Sequence, residues 1–199
     1  IVDAESAQAS VSLSFPAPHE NHPDYAALAL LRRVLDDGLS SRLRQAVCEQ
    51  RGLAYSVSAT MDVYGDAGAL DLDATCAPRK LVVTVAQMLS TLKHLVEEGI
   101  SADELRRAQV REKAELEFGL DDPNELAFWH GSSVLMGCAS GYTDRAREAQ
   151  RVTVADVERV AASVFDPAKG VLTVVGPAHP SAVAKLEQML GRAAGSSAW

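Results

Sequence analysis

The chain has 199 residues, of which 47% are hydrophobic and 23% are charged, and its formal net charge is −8. A chain of this length buries about 70% of its unfolded surface as one domain, so it needs no disulfide or structural metal to fold. Its acidic balance argues against nucleic acid as a partner, because phosphate binding needs clustered Lys and Arg, and it weakly favours basic peptides as ligands.

The first quarter of the chain predicts one strand and two helices. Every second residue is apolar over Ser10–Phe15, which indicates a strand. A helix is predicted over Pro23–Asp37, with proline at its first position. A shorter helix is predicted to begin at Ser40 or Ser41, as its N-cap, and to end at Arg51. The apolar stripe of this shorter helix consists of Leu39, Leu43, Ala46 and Val47.

The next segment predicts an antiparallel hairpin with one polar face. Apolar and polar residues alternate on both sides of the glycine-containing turn Gly65–Gly68, which is typical of two paired strands. The apolar face of the first strand consists of Tyr55, Val57, Ala59, Met61 and Val63. The apolar face of the second consists of Leu70, Leu72, Ala74 and Cys76.

The spacing of apolar residues becomes helical after the hairpin. A helix is predicted over Pro78–Gly99, with Leu81, Val85, Met88, Leu92 and Leu95 in one stripe. The following helix begins with a capping box, Ser101 with Glu104, and Ile100 and Leu105 stand at the hydrophobic-staple positions.

The last third of the chain again contains helix-start patterns and a strand pattern. Thr153 and Asp156 predict a second capping box, and a further helix is predicted over Asp122–Gly137. A final strand over Val171–Val175 is followed by a helix over Pro180–Leu190. The tail, residues 191–199, is small and polar apart from its last residue, and is predicted to be mobile.

This order of elements predicts an α+β fold. A mostly antiparallel or mixed sheet is expected to carry the helices on one face, as a two-layer sandwich. No repeat or linker divides the chain, so we expect a single domain over residues 1–190 and a flexible tail over 191–199.

The sequence lacks the motif of a complete active site. Neither H-E-x-x-H nor H-x-x-E-H is present, and the closest fragment, His19–His22, is one residue too short and is followed by Pro23. The three cysteines form no C-x-x-C pair, so no zinc ribbon or redox motif is expected. The chain contains no G-x-S-x-G, dinucleotide-binding or P-loop motif. We therefore expect it to bind no metal and to be inactive alone.

The segment after the first helix carries a family resemblance. Residues Asp37–Leu43 and Glu49–Val57 resemble the signature stretch in the C-terminal, non-zinc-binding half of insulinase-like zinc peptidases, the pitrilysin and mitochondrial-processing-peptidase type. The similarity runs from about Val11 to Pro177. Further matching pieces follow in the same order, namely Glu98–Ser101, Glu104-Leu105, Val152–Val157, Asp166-Pro167 and Val174–Pro177.

The resemblance implies one assisting residue and raises a question about another. In this family the half that faces the zinc supplies a Tyr, and commonly an Arg seven residues before it, to hold the peptide and its developing oxyanion. Tyr55 occupies the Tyr position, but Cys48 occupies the Arg position, and a thiol cannot replace a guanidinium. Arg51, one helical turn from Cys48, is the hypothetical substitute. From spacing alone, Tyr55 is a core strand residue whose hydroxyl reaches the rim.

The implied function is that of the substrate-holding half of a zinc metalloendopeptidase. It would close over a separate half that binds zinc through H-x-x-E-H, either the N-terminal half of the same protein or a partner subunit in a homo- or heterodimer. Two alternatives stay open. One is an inactive scaffold or regulatory subunit of the same fold, and the other is an unrelated α+β enzyme with a dispersed site.

The compartment is not readable from the sequence. The chain begins without Met and without a signal-peptide pattern, which we interpret as the start of a trimmed sequence. The bacterial periplasm and the cytoplasm both remain open.

Overall fold

The computed structural model describes residues 1–2, 4, 6–138 and 141–195. The strands are β1 (Ala9–Pro16), β2 (Ala54–Val63), β3 (Gly68–Cys76) and β4 (Val171–Val175). The α-helices are α1 (Tyr25–Leu35), α2 (Leu81–Glu98), α3 (Ala102–Gly119), α4 (Pro123–Met136), α5 (Tyr142–Arg151), α6 (Val154–Val164) and α7 (Pro180–Gly195). Two short turns are helical as well, a π-helical turn at Arg44–Glu49 and a 3-10 turn at Pro78–Lys80.

The four strands form one antiparallel sheet in the order β2–β3–β1–β4. In the centre of the sheet, Leu13 of β1 stands opposite Leu72 of β3 on one side and Leu172 of β4 on the other. Val2 adds an isolated parallel bridge to Val175. Because side chains alternate along a strand, this register places the apolar residues of neighbouring strands on one face.

The helices cover that apolar face. Side chains of the sheet and of the helices form one continuous buried core, in which the rings of Phe15 and Phe165 meet edge to face at 5.3 Å. The opposite face carries small polar residues and two aspartates, and none of them is buried. The residues of this face in β1 and β3 are Ser10, Ser12, Ser14, Asp71, Asp73 and Thr75. The predicted α+β, two-layer fold is therefore confirmed.

Both predicted capping boxes are present. Ser101 Oγ accepts from the Glu104 N–H at 3.2 Å, and Glu104 Oε2 accepts from the Ser101 N–H at 2.8 Å. Thr153 and Asp156 make the same reciprocal pair, with distances of 3.3 and 2.9 Å. These local signals fix the starts of α3 and α6 without long-range contacts, which is why the sequence predicts them correctly.

Two details of the helices differ from the prediction. Helix α5 has no counterpart among the predicted helices, because its sequence, YTDRAREAQR, is almost entirely polar. Helix α7 continues to Gly195, beyond the predicted end at Leu190. The predicted tail, residues 191–199, therefore overlaps the last turns of α7, and residues 196–199 lie outside the described part of the chain.

A buried arginine joins α1 to α3. Arg33 is 5% exposed, and its guanidinium donates to Asp37 at 2.9 Å, to Glu115 at 2.7 Å and, through Nε, to Glu112. Arg111 binds the same Asp37 carboxylate with two hydrogen bonds, at 2.9 and 2.7 Å. Three carboxylates thus surround one desolvated cation, and each of them accepts a hydrogen bond from it.

Replacing this cation is expected to destabilise the fold strongly. Arg33→Met leaves the partly buried Glu112 without its ion-pair partner and leaves Asp37 with Arg111 alone, and breaking a buried ion pair costs about 3–5 kcal/mol. Urea unfolding measures the loss. Arg106→Met is the matched control, since Arg106 and Asp103 are 70% and 72% exposed and such pairs contribute about 0–1 kcal/mol. Equal, small losses in both variants would contradict the prediction.

Candidate functional site

The segment between α1 and β3 that carries the family resemblance, residues 37–57, is called here the signature segment. It begins with a tight turn, in which Gly38 has a φ of 85° and its carbonyl accepts the Ser41 hydroxyl at 2.8 Å. Ser41 therefore stabilises the turn through its side chain. Ser41 directly precedes the helical residues, and its carbonyl accepts the Gln45 N–H at 3.0 Å, so it stands at one of the two predicted N-cap positions. Its hydroxyl does not cap the helix, because it donates backwards to the Gly38 carbonyl.

Arg42 fastens the signature segment to α3. Its guanidinium donates two hydrogen bonds to the Glu104 carboxylate, at 2.7 and 2.9 Å, and a third to the Gly99 carbonyl at 2.9 Å. The paired Arg42 guanidinium holds the pKa of Glu104 at about 2, despite partial burial of the carboxyl. Glu104 thus both caps α3 and anchors the turn that precedes β2.

A π-helical turn follows, over Arg44–Glu49. Its characteristic hydrogen bond spans five residues, from the Gln50 N–H to the Gln45 carbonyl at 3.0 Å. Val47 is fully buried, as the predicted apolar stripe requires. Leu39 is 66% exposed, which corrects its predicted place in that stripe. The reason is that Leu39 lies in the turn before the helix, where helical spacing does not apply.

A β-bulge at the start of β2 decides where Tyr55 points. Ala54 stands opposite Cys76 and Ser56 opposite Thr75, so Tyr55 is the extra residue of the bulge. Its side chain is 71% exposed, although the regular alternation predicts it on the buried face. The interpretation of Tyr55 as a core residue is therefore wrong.

The Tyr55 hydroxyl has no hydrogen-bond partner among the described residues. Two other tyrosines are packed, since Tyr142 donates to Glu125 at 2.9 Å and the ring of Tyr25 lies 3.9 Å below the Arg145 guanidinium. The Tyr55 phenol thus remains free to donate to a group outside this chain.

The two neighbouring positions of interest have different surroundings. Cys48 packs partly against the core, and burial raises the pKa of its thiol, so it is a poor donor and nucleophile. Arg51 lies in the turn before Gly52, is exposed, and makes no ion pair or hydrogen bond with the described residues. Arg51 and Tyr55 therefore share the exposed start of β2 but do not contact each other through a hydrogen bond.

Arg44 is a further arginine here that sequence reasoning missed. It lies one helical turn before Cys48, its Nε is buried without a hydrogen bond, and this atom is 3.5 Å from Glu49 Oε1. The only feature of the sequence that indicates the position of Arg44 beside the site is its spacing of four residues from Cys48.

The outer edge of β2 is partly covered by the chain itself. The Ala59 N–H, which points away from β3, donates to Asp36 Oδ2 at 3.0 Å, and the Leu53 N–H donates to the Val47 carbonyl at 2.8 Å. The first contact occupies one outward N–H in the middle of β2, and the second lies just before the strand begins, so this N–H is not available to an added strand.

The described residues include no group of three His, Cys, Asp or Glu side chains that could hold a metal ion. In the segment His19–His22, the carboxylate of Glu20 is paired with Arg145, and His22 Nδ1 accepts from the Asp24 N–H at 3.1 Å. No helix in the described part of the chain is long and apolar enough to span a bilayer.

Comparison with known proteins identifies the family and supports the fold. The family described as the peptidase M16 inactive domain matches residues 1–111. An uncharacterized zinc protease of Mycobacterium tuberculosis is 33% identical over 178 residues, which are 89% of this chain and 40% of the relative. The crystal structure of a peptidase M16 inactive domain from Pseudomonas fluorescens has a TM-score of 0.79 at 24% identity, over 89% of this chain and 43% of that chain.

A more distant likeness concerns the fold alone. A chain of complex III from Candida albicans has a TM-score of 0.79 at 17% identity, over 98% of this chain and 48% of that chain. The chain spans about two fifths of the length of the curated relatives it matches, as its 40% share of the mycobacterial protein illustrates.

The Arg42–Glu104 pair generates a prediction about acid stability. A carboxyl whose pKa is depressed from 4.5 to about 2 on folding stabilises the protein above the higher value, and this contribution is lost as the pH falls through the lower one. Arg42→Gln should raise the Glu104 pKa towards its ordinary value and cost about 1–2 kcal/mol at neutral pH.

The difference between the wild type and Arg42→Gln should shrink as the pH falls from about 4.5 to about 2. Carboxyl NMR titration measures the pKa, and urea unfolding across this range measures the stability. Lys113→Gln, which removes an exposed pair with Glu117, is the control and should leave the Glu104 titration unchanged. A Glu104 that titrates identically in both variants would refute the assigned cause.

Proposed function

Because the chain belongs to the family of peptidase M16 inactive domains, we propose that it is the substrate-holding half of a zinc metalloendopeptidase. In this proposal it closes over a separate zinc-binding half, which is the N-terminal half of the same protein or a partner subunit. The zinc is held by that half and none is held by this chain. Neither half cleaves peptides efficiently without the other.

The observation that supports this role best is the free phenol of Tyr55. A β-bulge turns this side chain off the core and leaves it 71% exposed, with no hydrogen-bond partner among the described residues. Bulges commonly re-aim a side chain next to an active site, at a local cost in regular pairing. A rigid strand end that presents one hydroxyl suits a donor that must act on a group outside its own chain.

The proposed chemistry divides between the halves. Zinc, in the other half, would polarise the scissile carbonyl and activate water. Tyr55 would donate to the carbonyl oxygen as negative charge develops there, because a preorganised donor stabilises the transition state more than the ground state. Arg51 would bind the peptide, with its unpaired guanidinium donating to a main-chain carbonyl.

The contact on the outer edge of β2 bears on how a peptide would lie. An extended peptide binds by adding to a free sheet edge, but Asp36 already accepts the Ala59 N–H at 3.0 Å. We infer that the main chain of the peptide pairs with the zinc-binding half. This chain would then contribute side-chain donors, Tyr55 and Arg51, from the facing side.

The alternative function is an inactive scaffold or regulatory subunit of the same fold. Two observations favour it. A thiol at Cys48 stands where the family commonly has an arginine, and the same fold occurs in a chain of complex III from Candida albicans. In this alternative Tyr55 would be an exposed tyrosine without a role in cleavage.

Reconstitution separates the two functions. We expect zinc in the other half, and rapid peptide cleavage only when that half and this chain are co-expressed and purified together. In the assembled enzyme, Tyr55→Phe should lower kcat by about 10²-fold with an unchanged melting temperature, because only the donor is lost.

The matched control is Tyr64→Phe. Tyr64 is also exposed, at 60%, and lies in the turn after β2, so its loss should leave kcat unchanged. Undiminished cleavage by the zinc-binding half alone would contradict the proposal. An assembled pair that binds no zinc and cleaves nothing would instead favour the scaffold.

Arg51 is tested separately. Arg51→Ala in the assembled enzyme should lower kcat/KM by about tenfold, since a charged hydrogen bond contributes about 1.5–3 kcal/mol. Arg79→Ala removes another exposed arginine, in the turn before α2, and should have no effect. Unchanged cleavage in Arg51→Ala would show that this residue does not replace the arginine missing at Cys48.

A further inference from the structure

Helix α4 leaves its apolar side chains exposed. None of its residues is buried, and Phe128, Val134 and Leu135 are 78%, 81% and 89% exposed. A helix with apolar residues on all sides is normally buried in a protein core. Exposed apolar patches larger than a few hundred Å² mark interaction surfaces, and a phenylalanine alone has about 150–250 Å² of surface to bury.

One side of α4 is held firmly by the rest of the chain. The ring of Trp129 meets Tyr142 edge to face at 5.3 Å, and the Tyr142 hydroxyl donates to Glu125 at 2.9 Å. At the other end, the Asn21 side chain donates to the Met136 carbonyl at 2.9 Å. The helix is therefore fixed at both ends, so its outer side is presented in one orientation.

The outer side has the shape and composition of a docking surface. Helical spacing places five exposed residues on it, which we call the α4 face: Ala127, Phe128, Gly131, Val134 and Leu135. A Cβ added at Gly131 would meet nothing within 4 Å, so two small residues leave a shallow groove between the larger ones. No Asp, Glu, Lys or Arg occurs between Glu125 and Asp144.

We infer that the α4 face is the surface on which the zinc-binding half docks. This inference rests on the proposed function and adds the place of contact. The chain covers only 40% of its mycobacterial relative, so more than half of such a protein lies outside this match and can supply the occupant. An uncharged apolar face fits a packed interface within one enzyme, because permanent interfaces resemble a domain core.

Two other occupants fit the observations less well. A helix that lies on a membrane carries Lys or Arg on its polar side, and α4 has neither. A second copy of this chain would pair one α4 face with another and leave the larger remainder of the relatives unexplained. Both become distinguishable outcomes of the experiment below.

The experiment measures the affinity between this chain and the zinc-binding half by titration calorimetry. Phe128→Glu and Leu135→Glu should each weaken the Kd by at least about tenfold, because a charge would be buried without a partner. Val83→Glu is the matched control. Val83 is an apolar residue of α2 that is 50% exposed, and its change should leave the Kd as in the wild type.

A second measurement needs no variant. Amide hydrogen exchange of residues 126–136 should slow by at least about tenfold when the two halves are combined, because docking suppresses local opening. Slowed exchange here together with weakened binding in both α4 variants supports the inference.

The remaining outcomes overturn it in different ways. If both variants bind and cleave like the wild type, docking occurs elsewhere and the proposed function survives. If the wild-type halves never associate, the inference and the proposed function fall together. If the variants keep the Kd but dissociate a dimer of this chain, the occupant is a second copy. If they keep the Kd but lose binding to phosphatidylcholine vesicles, the occupant is a membrane.

Discussion

The three tethers of the signature segment, residues 37–57 with the preceding Asp36, determine the geometry of the site. Arg42 ties the segment to α3 through Glu104 and Gly99, and Asp36 accepts the outward Ala59 N–H of β2. Backbone contact between Val47 and Leu53 closes the remaining turn. Because the part of this segment that precedes β2 is fixed, the bulge at Tyr55 has a defined position, and the contact at Ala59 closes part of the sheet edge to another strand.

Several charged side chains join distant elements of the chain, and none of the ion pairs among the described residues includes a residue of α4. Arg33 joins α1 to α3, and Arg159 joins α6 to Asp24, just before α1, with hydrogen bonds of 2.7 and 2.8 Å. Such contacts need exact partners and therefore specify how the helices pack. Helix α4 lies outside this network of charges, and its stability in isolation depends on caps at Asp122 and Gly137. Because none of its residues is buried, it is the described helix whose burial depends most on a second body.

The sequence predicts best the features that depend on nearby residues. Capping boxes, glycine stops and two-residue alternation each involve neighbours, so the starts of α3 and α6 and the hairpin are correct. The bulge is different, because Tyr55, Val57 and Ala59 continue one alternating pattern and only the pairing with β3 reveals the extra residue. Helix α5 is held by Tyr142 and Ala149 in a polar sequence, which gives no helical stripe to detect. Likewise, the caps of α4 can be predicted from the sequence, but the exposure of its apolar side chains cannot, because exposure depends on which other surface packs against the helix.

In the proposed enzyme, the two ends of β2 serve different functions, one in transition-state stabilisation and one in docking. Tyr55 lies at the start of this strand, whereas Gly65, in the turn after it, stands beside α4, where an added Cβ would be 3.2 Å from the Met136 carbonyl oxygen. An extended strand rises about 3.3 Å per residue, so Tyr55 and the C-terminal end of α4 are separated by about 30 Å along the strand. Docking at one end therefore does not itself form the hydrogen bond at the other.

The strand between the two ends sets the position of Tyr55 but takes no part in the reaction. A weakened interface should therefore reduce the population of assembled enzyme, while each assembled molecule turns over as before. Loss of the Tyr55 hydroxyl should instead lower the turnover of each assembled molecule and leave the population of assembled enzyme unchanged. Affinity and turnover are therefore separable properties of the same domain.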